Sequence, residues 1–137
     1  MPSRDEIAEF IRREFPQSPA EVEAVGQKSC RVRYRVDERD LRPGGTVSGP
    51  TMMALADNAL YIALLGTVGI VPLAVTTSLN INFLRKPAAG CDLVAECTLV
   101  KVGRVLVVGD VYIYSEGRDD PVAHATGTYS IPPAREG

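Results

Sequence analysis

One carboxylate stands in the middle of the most apolar stretch of this chain. In Ser48–Gly66, SGPTMMALADNALYIALLG, Asp57 is the single charged residue. An acid at mid-helix has poor propensity and is costly to bury without a partner. The segment has no polar face on which to place it. A carboxylate held in apolar surroundings can serve as a general base toward water or as a nucleophile toward a carbonyl carbon. Such acids concentrate at functional sites, and the residue types leave both roles open.

Eight residues earlier stands Gly49, between Ser48 and Pro50. Ser48 or Gly49 can cap a helix, and Pro50 suits its first position. The Gly49 amide would then be an unpaired donor at the positive end of the helix dipole. That is where a developing oxyanion gains stabilisation; the plainer reading is a cap or tight turn. Pro50 removes the next N–H. Ser48 is expected as a cap rather than a nucleophile: GTVSGP lacks the Gly-x-Ser-x-Gly elbow, and the one histidine, His124, falls on an expected strand. With one histidine and with Cys30, Cys91 and Cys97 in no CxxC spacing, a metal site is not expected. The odd, unpatterned cysteine count points to reduced thiols and a cytoplasmic protein.

These residues need elements to position them. Ser3 and Glu6 form a capping box before Ile7, Phe10, Ile11 and Phe15, so a short amphipathic helix is expected within residues 3–16. PQSPAEVEAVGQK reads as a loop or a short turn. From Ser29, Cys30, Val32, Tyr34 and Val36 alternate with Arg31, Arg33 and Arg35, the pattern of a half-exposed strand. A Gly/Pro-rich loop, LRPGGTVSGP, leads into a central helix over 50–66, apolar nearly all round and so buried on most sides. Its apolar run, Ala59 to Val75, reaches the short edge of a membrane span, but the flanking Asp57, Asn58 and Pro72 favour a core helix. After Pro72 the period becomes two: Val75, Thr77, Leu79, Ile81 and Phe83 share one face, and Thr76, Ser78, Asn80 and Asn82 the other. Three more strands follow, with turns at Gly103-Arg104 and at Glu116–Asp120.

The 137 residues suit one domain, 1–137, with 45% hydrophobic and 23% charged residues. A net charge of −2 gives no reason to expect nucleic acid or an anionic membrane as partner. The charged N-terminus lacks the apolar core of a secretory signal. Helix, strand, long helix and four antiparallel strands make an α+β fold with one buried helix against one sheet.

This layout resembles the hotdog fold, and within it the PaaI-like acyl-CoA thioesterases of the phenylacetic acid degradation type. The family pattern is Asn-x-x-Gly-x-x-His-Gly-Gly, followed by an acid nine residues after the His. Here Arg42, Gly45, Ser48, Gly49 and Pro50 occupy the pattern, and Asp57 lies nine residues after Ser48. LADNA, LNINFLRKPAAGCDL and GTYSI are also similar, so the likeness spans roughly residues 30–131. Three positions depart: Arg42 for Asn, Ser48 for His, and Pro50 for the second Gly.

The resemblance implies a long central helix wrapped by a curved antiparallel sheet, and hydrolysis of an acyl-CoA or aryl-CoA thioester. Asp57, Gly49 and Thr76 would be catalytic, with Gly49 polarising the carbonyl and the Thr76 hydroxyl positioning water. Arg42, Ser48 and Tyr61 would bind substrate, and Arg42 could pair with Asp57. Arg85, Lys86 and Arg104 would receive CoA phosphates. No cofactor beyond the CoA of the substrate is implied. A homodimer or dimer of dimers would build each site from two chains, with Thr76 acting beside the partner's Asp57. The acyl pocket would be lined by Met52, Met53, Leu60, Tyr61 and Leu64. Two other readings stay open: a non-catalytic acyl-CoA binding protein and an enoyl-CoA hydratase or dehydratase.

Overall fold

The computed structural model describes residues 1–18 and 20–133. Helix α1 spans Arg4–Glu14 and opens with the expected capping box, Ser3 N to Glu6 Oε1 at 3.1 Å and Glu6 N to Ser3 Oγ at 3.2 Å. It buries Ile7, Phe10 and Ile11 and ends at Phe15. Two strands follow, β1 (Ala20–Gly26) and β2 (Ser29–Tyr34). β1 lies where a loop or short turn was expected. Its glutamates hide the alternation, and a register shift between Val22 and Ala24 breaks what remains. A 3-10 turn, Glu38–Asp40, precedes the central helix α2, Gly49–Val68, which runs slightly beyond the expected 50–66. β3 (Val75–Phe83), β4 (Leu93–Val102), β5 (Leu106–Ser115) and β6 (Pro121–Ser130) complete one six-stranded antiparallel sheet, order β1-β2-β4-β5-β6-β3. This is the hotdog arrangement.

α2 packs across β1, β2, β4, β5 and β6. By length and composition it could cross a membrane, yet 67% of its most apolar window is buried inside the fold. Leu55, Ile62, Leu64 and Leu65 are wholly enclosed. Close seating depends on two cross-strand glycines, Gly109 on β5 and Gly127 on β6. A Cβ on Gly127 would stand 2.4 Å from Leu60 Cδ1, and one on Gly109 2.9 Å from Leu60 Cδ2. Both are closer than carbon atoms pack.

The opposite face of the sheet carries charge. Arg33 bonds Glu23 at 2.8 Å, Asp92 at 3.2 Å and Glu116 at 2.8 Å, holding the Glu23 and Glu116 carboxyls below their usual range. This fits the expected split of β2 into an apolar and an arginine face.

β3 departs from simple alternation. A register shift between Thr76 and Ser78 pairs Thr76 with Tyr129 and Ser78 with Thr128. The extra residue reverses the parity. Thr76 therefore joins Leu79 and Ile81 on the helix-facing side, not Ser78, Asn80 and Asn82 as strict alternation predicts. β3 is also an edge strand, exposed along most of its length.

The Leu60 contact yields a stability test. Gly127→Ala should destabilise the fold by about 1–3 kcal/mol through overpacking, read from urea unfolding. A change below about 0.5 kcal/mol would show that the helix and sheet are less closely seated.

Candidate functional site

Asp57 sits half-buried in the third turn of α2, where the β3 bulge brings a hydroxyl to meet it. Thr76 Oγ1 donates to Asp57 Oδ1 at 2.5 Å. The Tyr129 hydroxyl, from β6, donates to the same Oδ1 at 2.9 Å and lies 3.2 Å from the Asp57 carbonyl oxygen. Among the described residues, Oδ2 has no hydrogen-bond partner. Two donors thus fix the carboxylate and leave one oxygen for chemistry. Burial first, and then the neighbouring Asp57 charge, raises the Tyr129 phenol well above the usual tyrosine value. Its ring stacks on Tyr61, centroids 5.8 Å apart and planes 20° apart. Tyr61 in turn donates to the Pro72 carbonyl at 3.3 Å. Asp57 opens onto a cavity of about 230 Å³ whose walls include Phe15, Tyr61, Ala74, Thr76 and Tyr129.

A second cavity, about 710 Å³, lies at the N-terminus of α2 and is lined by Arg42, Gly49, Met52, Phe83, Arg85 and Lys86. Ser48 caps the helix as expected: its Oγ accepts from Thr51 N at 3.4 Å, and its carbonyl from Met52 N at 3.3 Å. Pro50 has no N–H. Among the described residues the Gly49 N–H has no acceptor, so it is the one amide of this turn free for a ligand. A Cβ at Gly49 would come within 3.2 Å of the Phe83 ring.

The cap itself is anchored by Asp40, a residue the sequence reading did not single out. Asp40 is buried; its carbonyl accepts from Ser48 N at 2.7 Å, and its carboxylate accepts from Tyr34 OH, Asp37 N at 2.7 Å and Thr51 Oγ1 at 3.4 Å. Burial and this carboxylate push the Tyr34 phenol up to about 12. The Asp37-x-x-Asp40 spacing, a capping box for the 3-10 turn, was the one signal available. Tyr129 was missed too, because an alternating strand gives no sign of which tyrosine reaches an acid.

The expected site residues therefore fall into two groups within one chain. Asp57, Thr76 and Tyr61 meet at one cavity; Arg42, Gly49, Arg85 and Lys86 meet at the other. Gly49 and Asp57, eight residues apart on one helix, are separated by about 12 Å along its axis. Several expectations need correction. Thr76 bonds Asp57 of its own chain, not the partner's, because β3 is laid over α2 of the same fold. Its hydroxyl hydrogen is donated to the carboxylate. Arg42 makes no ion pair with Asp57, since it belongs to the loop at the far end of α2. Leu60 and Leu64 are core residues facing the sheet, while Met53 is exposed; of the five residues expected around the acyl group only Tyr61 lines the Asp57 cavity. Arg104 is exposed in the β4–β5 turn, at the end of the sheet where Leu106 pairs with Ser130. Arg85 follows β3 at the other end, where its Nε donates to the Pro121 carbonyl at 2.9 Å. His124, remote from such roles, faces Asp110 at 3.1 Å and stacks near Tyr112.

Comparison with known proteins identifies the family and the fold. The thioesterase superfamily matches residues 44–122. A candidate thioesterase from Silicibacter sp. TM1040 is 45% identical with a TM-score of 0.88, over 96% of this chain and 92% of that one. A variant of the phenylacetic acid degradation protein PaaI from Thermus thermophilus is 27% identical with a TM-score of 0.71, over 84% and 95%. A Streptococcus mutans UA159 protein bound to acetyl CoA shares the fold at 24% identity and a TM-score of 0.74, over 85% and 91%. A search of curated proteins finds no match. The chain belongs to the thioesterase superfamily, as a PaaI-like protein of hotdog fold.

Proposed function

We propose that the protein hydrolyses the CoA thioester of a short acyl or aryl acid, with Asp57 Oδ2 as the reacting oxygen. The observation that carries this is the clamp on Asp57: among the described residues, two hydroxyls occupy Oδ1 and none occupies Oδ2. Acting as base, Oδ2 takes a proton from water, the hydroxide adds to the thioester carbonyl, and the C–S bond breaks as the thiolate regains a proton. Acting as nucleophile, Oδ2 forms an anhydride, releases CoA thiolate and is freed by water. Either way charge develops on the carbonyl oxygen, for which the Gly49 N–H at a helix N-terminus is suited.

The two groups act together only across two chains. β3 has a free edge, and its ends differ: Thr76, bonded to Asp57, lies at one, and Phe83, beside Arg85 and the Gly49 cavity, at the other, about 23 Å along the strand. Antiparallel pairing of β3 with a second β3 lays one chain's Asp57 end beside the partner's Gly49 end. It also carries the partner's Arg104 turn toward Arg85 and Lys86, where three cations suit CoA phosphates. A dimer, or a dimer of dimers, in the cytoplasm is the working form, with Arg42 and Ser48 shaping the approach to Gly49. The acetyl CoA held by a relative of the same fold supports this class of ligand. A binding-only protein is the rival reading, favoured by the single amide donor that Pro50 leaves at the oxyanion position.

Thiol release over a panel of acyl- and aryl-CoA esters tests the assignment. Asp57→Asn should lower kcat by at least about a hundredfold with its circular dichroism unchanged. Undiminished turnover would remove Asp57 from the mechanism, and no turnover by the wild type would favour the binding-only protein.

Tyr129→Phe should lower kcat by about tenfold, the loss of one hydrogen bond to a charged group. The Tyr129 phenol, raised in the fold, keeps its proton at about pH 11, where an unfolded tyrosine ionises. Its contribution to stability is thus full below about pH 10 and declines as pH rises beyond it. The wild-type minus Tyr129→Phe absorbance difference at about 295 nm should stay flat to pH 11 while the protein is folded; an ionisation step before that would contradict the buried contact.

A further inference from the structure

Three rings surround the Asp57 cavity, and they do different work. Tyr129 is bonded to Asp57, and Tyr61 is bonded to the Pro72 carbonyl and stacked on Tyr129. The third ring, Phe15, has no polar group and holds none of these contacts. It comes from outside the residues that match the family, at the C-terminal end of α1.

Its position is nonetheless fixed. Phe15 N donates to the Ile11 carbonyl at 2.8 Å, and the Phe15 carbonyl accepts from Ser18 N at 3.0 Å. Ile7, Phe10 and Ile11 bury α1 against the body of the fold. The Phe15 side chain is half-buried: it packs against the edge of the core and also walls the cavity. At about 230 Å³, the cavity is smaller than the sites that hold drug-sized ligands, and its Phe15 wall is apolar.

We infer that Phe15 is a specificity-determining residue: α1 lays its ring across the end of the acyl pocket and limits the length of the acyl group that can lie against Asp57. The inference rests on the proposed hydrolysis at Asp57 Oδ2, which puts the acyl carbonyl at the mouth of this cavity and its chain inside. Because Phe15 bonds neither Asp57 nor its clamp, changing it alters the pocket's reach while the reacting carboxylate stays in place. A residue that served only to dock α1 would change affinity for every acyl length alike.

The test uses the full chain and hydrolysis-resistant S-alkyl-CoA thioethers, from ethyl to dodecyl, with affinities measured by calorimetry. Wild type should gain affinity along the first members and then stop gaining. Phe15→Ala should move that limit to longer chains, improving decyl relative to butyl by about tenfold, the effect of burying roughly two more methylenes. Phe15→Trp should move it to shorter chains. An unchanged decyl-to-butyl ratio in both variants, a uniform loss across the series, or wild-type affinity indifferent to chain length would overturn the inference. Since these ligands are not cleaved, the result is independent of turnover: a length limit that shifts without hydrolysis in the wild type upholds the Phe15 assignment and defeats the proposed catalysis.

Discussion

Two hydroxyls, one from each of two neighbouring strands, meet a single oxygen of an acid on the central helix. The Asp57 contact with Thr76 and Tyr129 is the constraint to which the rest of this protein is fitted. An all-apolar helix gains stability by burial in the sheet, but a carboxylate on it must be given donors or left in water. Here the donors come from β3 and β6, and a bulge in β3 is what aims Thr76 inward. The same contact holds Asp57 partly desolvated beside a small cavity, so what satisfies the fold also prepares the site.

Seating the helix close enough for this contact needs thin places in the sheet. Gly109 and Gly127 supply them beneath Leu60. At the other end of the helix a different network sets the geometry: Asp40 holds Ser48 and Thr51, and these hold the turn that presents the Gly49 amide. Ser48 and Pro50 stand where the family pattern has His and a second Gly; Pro50 carries no N–H, and among the described residues Gly49 is left as the one free amide of the helix start. Stability and the proposed chemistry share the same few residues at the start and the middle of α2.

Much of this was legible in the sequence where periodicity and caps are strong. The capping box of α1, the arginine face of β2, the apolar character of α2 and the position of Asp57 within it all follow from local pattern. Failures arose where long-range pairing decides. β1 is too acidic and irregular to read as a strand until β2 supplies its partners. The bulge in β3 depends on pairing with β6, so strict alternation put Thr76 on the wrong face. Leu60 and Leu64 were expected in an acyl pocket, because an apolar residue on the helix does not itself say whether sheet or substrate covers it. Tyr129 and Asp40 act through partners distant in sequence, which no single-segment pattern reveals.

The division of the expected residues between two cavities leads to the central claim, that each active site takes Asp57 from one chain and the Gly49 amide from its partner. Subunit complementation tests it most directly. Asp57→Asn removes the carboxylate, and Gly49→Pro removes the amide donor at a first helical position, whose backbone suits proline once the Phe83 ring shifts by a few tenths of an ångström. Each variant alone should be inactive as a homodimer. A purified heterodimer of the two carries one site with both groups intact, and should regain about half the wild-type kcat. A heterodimer as inactive as its parents would contradict the two-chain site.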